Sequence, residues 1–247
     1  MVNINRVYQK VLTLTNKEQR GYITPQEFNL LANQAQMEIF EQYFYDIEQW
    51  ERTPGSENEY SDMVTNIENK IAKFQVGDYQ LGVSNVNGYL DLSQGDIYKL
   101  GSIIATYSSQ GVNNMPSIAE KLTIAEFNLY EQSSFTRGTY KRPYYVLQEY
   151  NFGALGAKFS PPLAVGDKAI ISYIRPPINA QWGYVVVQGK ALFDPNPNKT
   201  QNFELHLSEE VELVYKILKL AGVTIKNVDV VQIGQGMEAA QIKQEKQ

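Results

Sequence analysis

Three glutamates near the C-terminus, Glu209, Glu210 and Glu212, are spaced closely enough to act as a general acid and a general base. However, Glu209 and Glu210 fall in the first turn of a predicted helix, where carboxylates stabilise the unpaired backbone amides. We therefore expect these side chains to cap a helix rather than to transfer protons.

A second set of oxygen ligands resembles the start of a calcium loop. Asp194, Asn196 and Asn198 occupy the first, third and fifth positions of that pattern. The match then fails, because the sixth position is Lys199 instead of glycine and the twelfth is Leu205 instead of glutamate. The segment is more typical of an ordinary Pro/Asn turn.

Nucleophilic and metal chemistry is limited by composition, because the chain has no cysteine and one histidine, His206. Disulfides, thiol nucleophiles, zinc sites built from cysteine or several histidines, and Ser-His-Asp triads are excluded. Residues 203–207 alternate in polarity, which places His206 on a polar face. No glycine-rich phosphate loop is present. We predict a protein that is not an enzyme and needs no cofactor or metal.

The most suggestive surface feature is residues 136–145, where three basic side chains are interleaved with three tyrosines. Arg137, Tyr140, Lys141 and Arg142 are the candidate interface residues of this segment. Such a loop could bind a phosphate backbone or an acidic protein. A solvated loop whose tyrosines pack into a sheet is an equally good interpretation.

Charge and hydropathy narrow the possible partners. The net charge of −5 and the pI of about 5.1 argue against broad, charge-driven binding of nucleic acids. The N-terminus lacks a signal-peptide core, and no stretch approaches the roughly 18 apolar residues of a membrane helix. We expect synthesis in a cytoplasm-like compartment and no membrane partner.

Helical periodicity dominates the first 75 residues. Residues 2–14 and 60–75 predict two helices, and Thr24-Pro25-Gln26-Glu27 predicts the start of a longer helix between them. Its polar side carries Glu38, Glu41 and Glu48, for which a solvated or subunit-facing surface is favoured over catalysis. Three helices joined by short loops predict an antiparallel bundle.

From Gly77 the pattern changes to strands and turns. Predicted strands include 79–83, 89–92, 99–107, 143–147, 157–159, 169–174 and 184–188, with a hairpin turn at Asn87-Gly88. Ser117 and Glu120 form a capping-box pattern that predicts a helix near residue 117. The density of turns favours an antiparallel sandwich or small barrel.

The C-terminal part begins with a helix over residues 208–222, followed by a Gln-rich tail from about Gly234 that predicts a loosely held last helix. We predict an α+β fold in three parts: a helical bundle over 1–75, an inserted β-rich region with one helix over 76–207, and a C-terminal helix with an interaction tail over 208–247. The C-terminal helix is expected to pack back on the bundle.

Three N-terminal segments are distinctive: residues 2–8 (VNINRVY), 16–29 (NKEQRGYITPQEFN) and 34–44 (QAQMEIFEQYF). They resemble the N-terminal signature of structural proteins from crAss-like and related short-tailed bacteriophages. Residues 142–145, 174–177, 182–184 and 203–210 are similar to later segments of that family, so the resemblance covers most of the chain.

The resemblance implies a virion structural protein of the neck or tail, assembled in the host bacterial cytoplasm. By fold analogy it implies a head-to-tail connector or adaptor: a homo-oligomeric neck ring, commonly twelvefold, that contacts the portal protein and lets genomic DNA pass without sequence-specific binding.

Within such a ring, we expect Glu38, Gln42 and Tyr45 to contact neighbouring subunits. The Gln-rich tail would bind the portal or the next subunit, and residues 137–145 would face another neck or tail protein. The alternative is a carbohydrate-binding module of a tail or fibre, with Trp182 and Tyr184 as exposed stacking platforms.

Overall fold

The computed structural model describes residues 1–17, 23–52, 60–81, 83, 89–93, 95–108, 116–151, 153–164 and 166–224. Its mixture of helices and strands confirms the predicted α+β class. The chain divides into two compact units, residues 1–73 with 177–247 (the helical unit) and residues 74–176 (the sheet unit). Residues 177–207 therefore belong with the helices, whereas the sequence grouped them with the strands.

Five helices lie within the described residues: α1 (Ile4–Lys17), α2 (Pro25–Arg52), α3 (Tyr60–Ala72), α4 (Ile124–Gln132) and α5 (Glu210–Thr224). A short 3-10 helix, Leu207–Glu209, leads into α5. Helix α5 continues through Gly222 to Thr224, so this glycine does not end the helix as the sequence predicted.

Side-chain caps explain where α1 and α2 begin. The Asn3 side chain accepts a hydrogen bond from the Arg6 amide at 3.1 Å. At α2 the Thr24 amide donates to the Glu27 carboxylate at 2.9 Å, and the Glu27 amide donates to the Thr24 hydroxyl at 3.3 Å. This reciprocal pair is the predicted capping box, and it satisfies amides that have no partner within the helix.

The helical unit is held together by apolar packing around α5, which contacts α1 and α2, while α3 contacts α2. Its buried side chains include Val7, Tyr8, Val11, Phe28, Ile39, Phe40, Leu213 and Ile217. Helix α5 thus packs on the N-terminal helices α1 and α2, as the sequence analysis expected of the C-terminal helix. The antiparallel arrangement of the helices stays a prediction.

Nine strands lie within the described residues: β1 (Gln75–Leu81), β2 (Tyr89–Asp91), β3 (Lys99–Thr106), β4 (Ser117–Lys121), β5 (Tyr144–Asn151), β6 (Ala154–Ser160), β7 (Lys168–Ile174), β8 (Tyr184–Val187) and β9 (Lys190–Phe193). The prediction of a helix starting near Ser117 is wrong, because these residues form β4 between β3 and β5. The helix begins at Ile124 instead, where Thr123 and Glu126 form the capping box.

The sheet unit is one curled sheet of seven strands in the order β1-β7-β3-β4-β5-β6-β2. All pairs are antiparallel except β4 with β5, which is parallel and departs from the predicted all-antiparallel region. Val83 forms an isolated bridge to Leu90 in β2, so the chain just beyond one edge strand contacts the other edge strand. The curl encloses a core that includes Leu90, Ile103, Phe159 and Ile171.

The remaining two strands, β8 and β9, form a separate hairpin in the helical unit. Its turn places Gln188 and Gly189 at positive φ angles of 50° and 77°, the backbone that suits a tight two-residue hairpin turn. The predicted Asn87-Gly88 turn and the Gln-rich tail with its predicted last helix lie outside the described residues.

Candidate functional site

Helix α2 carries a row of amide side chains that fixes an extended segment of the helical unit. The Asn33 side chain donates to the Ala180 carbonyl at 3.1 Å and accepts from the Ala180 amide at 2.7 Å. Asn29 bonds both backbone groups of Trp182 in the same way, at 3.3 and 2.8 Å, and Gln36 donates to Ile178 at 2.9 Å. The three amide side chains lie on one helix face because they are 4 and 3 residues apart. Together they bond the backbone of every second residue of the segment, as a neighbouring strand would.

Another face of α2 holds the predicted interface residues Glu38, Gln42 and Tyr45. Tyr45 is 65% exposed, and Glu38 is half-buried and accepts a hydrogen bond from Gln34 at 3.1 Å. Gln42 instead accepts a hydrogen bond from Lys216 of α5 at 3.3 Å, which ties it to the fold of its own chain. Of the three, Glu38 and Tyr45 form an outward surface.

The loop over residues 133–143, here called the Phe135 loop, is anchored by one carboxylate. Glu131 forms an ion pair with Arg137 at 3.3 Å and accepts a hydrogen bond from the Tyr144 hydroxyl at 3.0 Å. The Ser160 hydroxyl also donates to Glu131. These three partners tie the end of α4 to β5 and β6, so the loop has a defined position on the sheet.

Close packing adds to this restraint at Gly138 and Tyr140. A methyl group at Gly138 would lie 2.1 Å from the Ser160 carbonyl oxygen, so only glycine fits there. The Tyr140 ring packs edge-on against Tyr107 at 5.1 Å between ring centroids. Burial raises the pKa of the Tyr107 hydroxyl above its usual range, with smaller contributions from Asp167 and Tyr140. Tyr140 therefore serves partly as an anchor.

The outer side of the same loop is apolar and basic. Phe135 is 98% exposed, and Lys141 and Arg142 are exposed as well. The Arg142 and Thr139 backbones exchange hydrogen bonds of 3.0 and 3.2 Å, which close a tight turn around Tyr140 and Lys141. The sequence singled out the basic residues but missed Phe135, since nothing in the pattern distinguishes an exposed phenylalanine from a buried one.

The acidic residues near the C-terminus are buried and paired. Glu209 is 1% exposed and lies 2.5 Å from the Lys70 ammonium. Glu210 pairs with Lys10 at 2.5 Å and with Arg6 at 3.0 Å. A carboxylate held by cations on other helices is a packing element, and this arrangement offers no acid and base poised across a cleft.

Two other sequence motifs have local structural roles. The Asp194 carboxylate accepts from the Lys199 ammonium at 3.0 Å and from the Asn196 amide at 3.1 Å, and these hydrogen bonds lower its pKa. His206 caps the 3-10 helix by accepting from the Ser208 amide at 3.3 Å. Both motifs stabilise turns of their own chain.

A groove of 640 Å³ runs between α1 and α5. Leu14, Val211 and Val214 are among its lining residues. Its two cationic side chains, Arg6 and Lys10, both pair with Glu210. The groove therefore has the size of a ligand site, but both of its cationic side chains are already paired within the chain.

Trp182, the platform expected for carbohydrate binding, is 2% exposed. Its ring packs against Tyr8 at 4.0 Å and Tyr184 at 5.8 Å between centroids, and its indole N–H donates to Asn5 at 3.1 Å. Stacking on a sugar requires an open ring face, so the expectation of an exposed Trp182 is wrong.

The described residues contain no group of three or more His, Cys, Asp or Glu side chains that could hold a metal ion. None of the helices in the described part of the chain is long and apolar enough to cross a membrane. The sequence matches no protein-family model, and no curated protein matches it.

Proposed function

We propose that this protein is a virion structural protein that forms an oligomeric ring between the portal and the tail of a short-tailed bacteriophage. In this role it is a head-tail connector that lines the DNA exit channel, and it acts by binding neighbours, not by catalysis. The family resemblance of residues 2–8, 16–29 and 34–44 supplies the class of protein.

The observation that carries the proposal is the Phe135 loop. Its backbone is held in place by Glu131 and by the close approach at Gly138, yet it presents Phe135 at 98% exposure on the same loop as the exposed Lys141 and Arg142. A fixed, exposed aromatic side chain with basic neighbours is the composition of a protein-binding hot spot. Because the Phe135 ring is exposed, it is available to pack against a partner.

Charge supports the passage of DNA. The helical unit has 14 basic and 19 acidic side chains, a net charge of −5, and the sheet unit has 8 of each. A ring with this balance does not replace the counterions of DNA over a broad surface, so it would let the duplex slide.

The experiment is a count of this protein per portal subunit in purified phage particles by quantitative mass spectrometry. We expect a ratio near one, because a ring matched to the portal has the same symmetry. A markedly different ratio would move the protein elsewhere in the virion, and its absence from particles would refute a structural role.

A further inference from the structure

One face of α2 is a largely exposed stripe that carries three carboxylates. Six positions spaced 3 and 4 residues apart fall within about 80° of arc at 100° per residue. They form what we call the acidic stripe: Leu30, Gln34, Glu38, Glu41, Tyr45 and Glu48. Leu30 is 73% exposed and Tyr45 is 65% exposed, and Tyr45 lies between Glu41 and Glu48 along the stripe.

The opposite faces of α2 are committed to the fold. Phe28 and Phe40 are buried in the core, and Asn33 and Gln36 hold the segment around residues 178–180. The acidic stripe therefore cannot turn inward without unfolding the unit. The whole helix carries six acidic side chains and one basic side chain, so its exposed face has a strong negative potential.

The Phe135 loop has the complementary composition. Residues 133–143 contain Arg137, Lys141 and Arg142 and no acidic side chain. Within the described residues, no carboxylate lies within ion-pair distance of Lys141 or Arg142. The loop offers one fully exposed aromatic ring and at least two unpaired cations, whereas the acidic stripe offers carboxylates beside exposed leucine and tyrosine.

We propose that the acidic stripe of α2 binds the Phe135 loop of a second copy of this chain. The ring of Phe135 packs against Tyr45 of the next copy, and Lys141 and Arg142 pair with Glu41 and Glu48, which lie 4 and 3 residues from Tyr45 on the same helix face. This inference rests on the proposed ring and identifies the subunit contact within it.

The charges also limit the types of contact that two copies can form. Two acidic stripes facing one another would place like charges together, and so would two basic loops. An isologous dimer through either surface is therefore disfavoured. A contact between two different surfaces can be heterologous, so that each copy has one surface of each kind left to bind the next copy and the series can close as a ring. A reciprocal two-fold dimer would use both surfaces at once, and it would sediment as a dimer without larger species.

The test reverses the charge on each surface in the full-length chain and measures self-association by sedimentation velocity. The loop variant is Lys141→Glu and Arg142→Glu, which leaves the ion pair between Arg137 and Glu131 intact. We expect it to associate at least about 100-fold more weakly than the wild-type protein, because like charges then face each other. The matched control, Lys121→Glu and Lys168→Glu, changes two exposed lysines to give the same net charge and should associate almost normally.

The stripe variant is Glu38→Lys, Glu41→Lys and Glu48→Lys, and it should also fail to associate. A 1:1 mixture of the loop and stripe variants should recover association, because each acidic loop then meets a basic stripe and each basic loop meets an acidic stripe. Circular dichroism establishes that each variant is folded before mixing.

Several results would overturn the contact: a wild-type protein that stays monomeric up to its solubility limit, single reversals without effect, or losses that mixing does not restore. If self-association is unchanged while the loop variant no longer binds another virion protein or DNA, the loop binds that partner instead. The mass-spectrometric count is independent of these measurements. A ratio near one with unchanged self-association refutes only the contact, whereas absence from particles refutes the proposed function.

Discussion

Residues 177–182 and the Phe135 loop are both irregular segments held by side-chain hydrogen bonds, yet the first buries its large aromatic side chain and the second exposes it. The first is bound by Asn29, Asn33 and Gln36, and it buries Trp182 at 2% exposure. The second is bound by Glu131, and it leaves Phe135 at 98% exposure. Polar side chains thus fix an irregular backbone in both cases. The burial of the aromatic side chain distinguishes a segment that builds the fold from one that is available to a partner.

The largest expected effect comes from a pair of alanine substitutions that tests this contrast. Trp182→Ala removes a ring enclosed by Tyr8, Tyr184 and Phe193, and we expect it to lower the free energy of unfolding by about 3–5 kcal/mol. Phe135→Ala should change it by less than about 0.5 kcal/mol, because an exposed ring loses little on truncation. Urea denaturation of both variants measures the difference. Equal destabilisation would show that Phe135 is part of the core of its unit.

An intermediate effect is expected at Gly138. Gly138→Ala places a methyl group against the Ser160 carbonyl, and we expect a loss of about 1–3 kcal/mol from the strain of moving the backbone. Gly77→Ala is the control, because no atom lies within 4 Å of a methyl group added there. Urea denaturation of the two variants gives the comparison, and sedimentation velocity should show weaker self-association for Gly138→Ala alone. Equal free energies of unfolding for the two variants would mean that the loop backbone can move to accommodate the methyl group without destabilising the fold.

The smallest effect concerns the capping boxes of α2 and α4, the two helices whose side chains hold the contrasted segments. Hydrogen bonds from the Thr24 and Thr123 backbone amides and hydroxyls lower the pKa of Glu27 and Glu126 below the ordinary 4.5. A carboxyl whose folded pKa is depressed stabilises the fold above its unfolded pKa. That stability is lost as the pH falls through the folded value. The thermal midpoints of wild type and Glu126→Gln should therefore differ at pH 7 and converge below pH 4.5; a constant gap would contradict this.

Local signals predicted the helical parts of the fold well. The capping box at Thr24 and the apolar spacing behind it identified α2, since both features act within one helix. The same rule misplaced α4, because Ser117-x-x-Glu120 and Thr123-x-x-Glu126 carry equivalent patterns six residues apart. The choice between them depends on strand pairing of Ser117 with Ala105, which is formed by residues distant in sequence.

The candidate surfaces were predicted only in part. Basic residues in the loop were visible because charge clusters are local, whereas the exposure of Phe135 depends on how α4 and β5 meet. The burial of Trp182 depends on Tyr8 and Asn5, more than 170 residues earlier in the chain, and no short-range pattern encodes that contact.

The two ends of the sheet unit lie side by side. The Arg175 amide donates to the Phe74 carbonyl at 2.9 Å, and Gln75 pairs with Ile174 at the edge of the sheet. The polypeptide thus leaves the helical unit and returns to it through neighbouring points, so a few residues could bridge the gap if the strands between them were removed. Such a cassette can be exchanged, enlarged or deleted by recombination without changing the spacing of the helices that flank it.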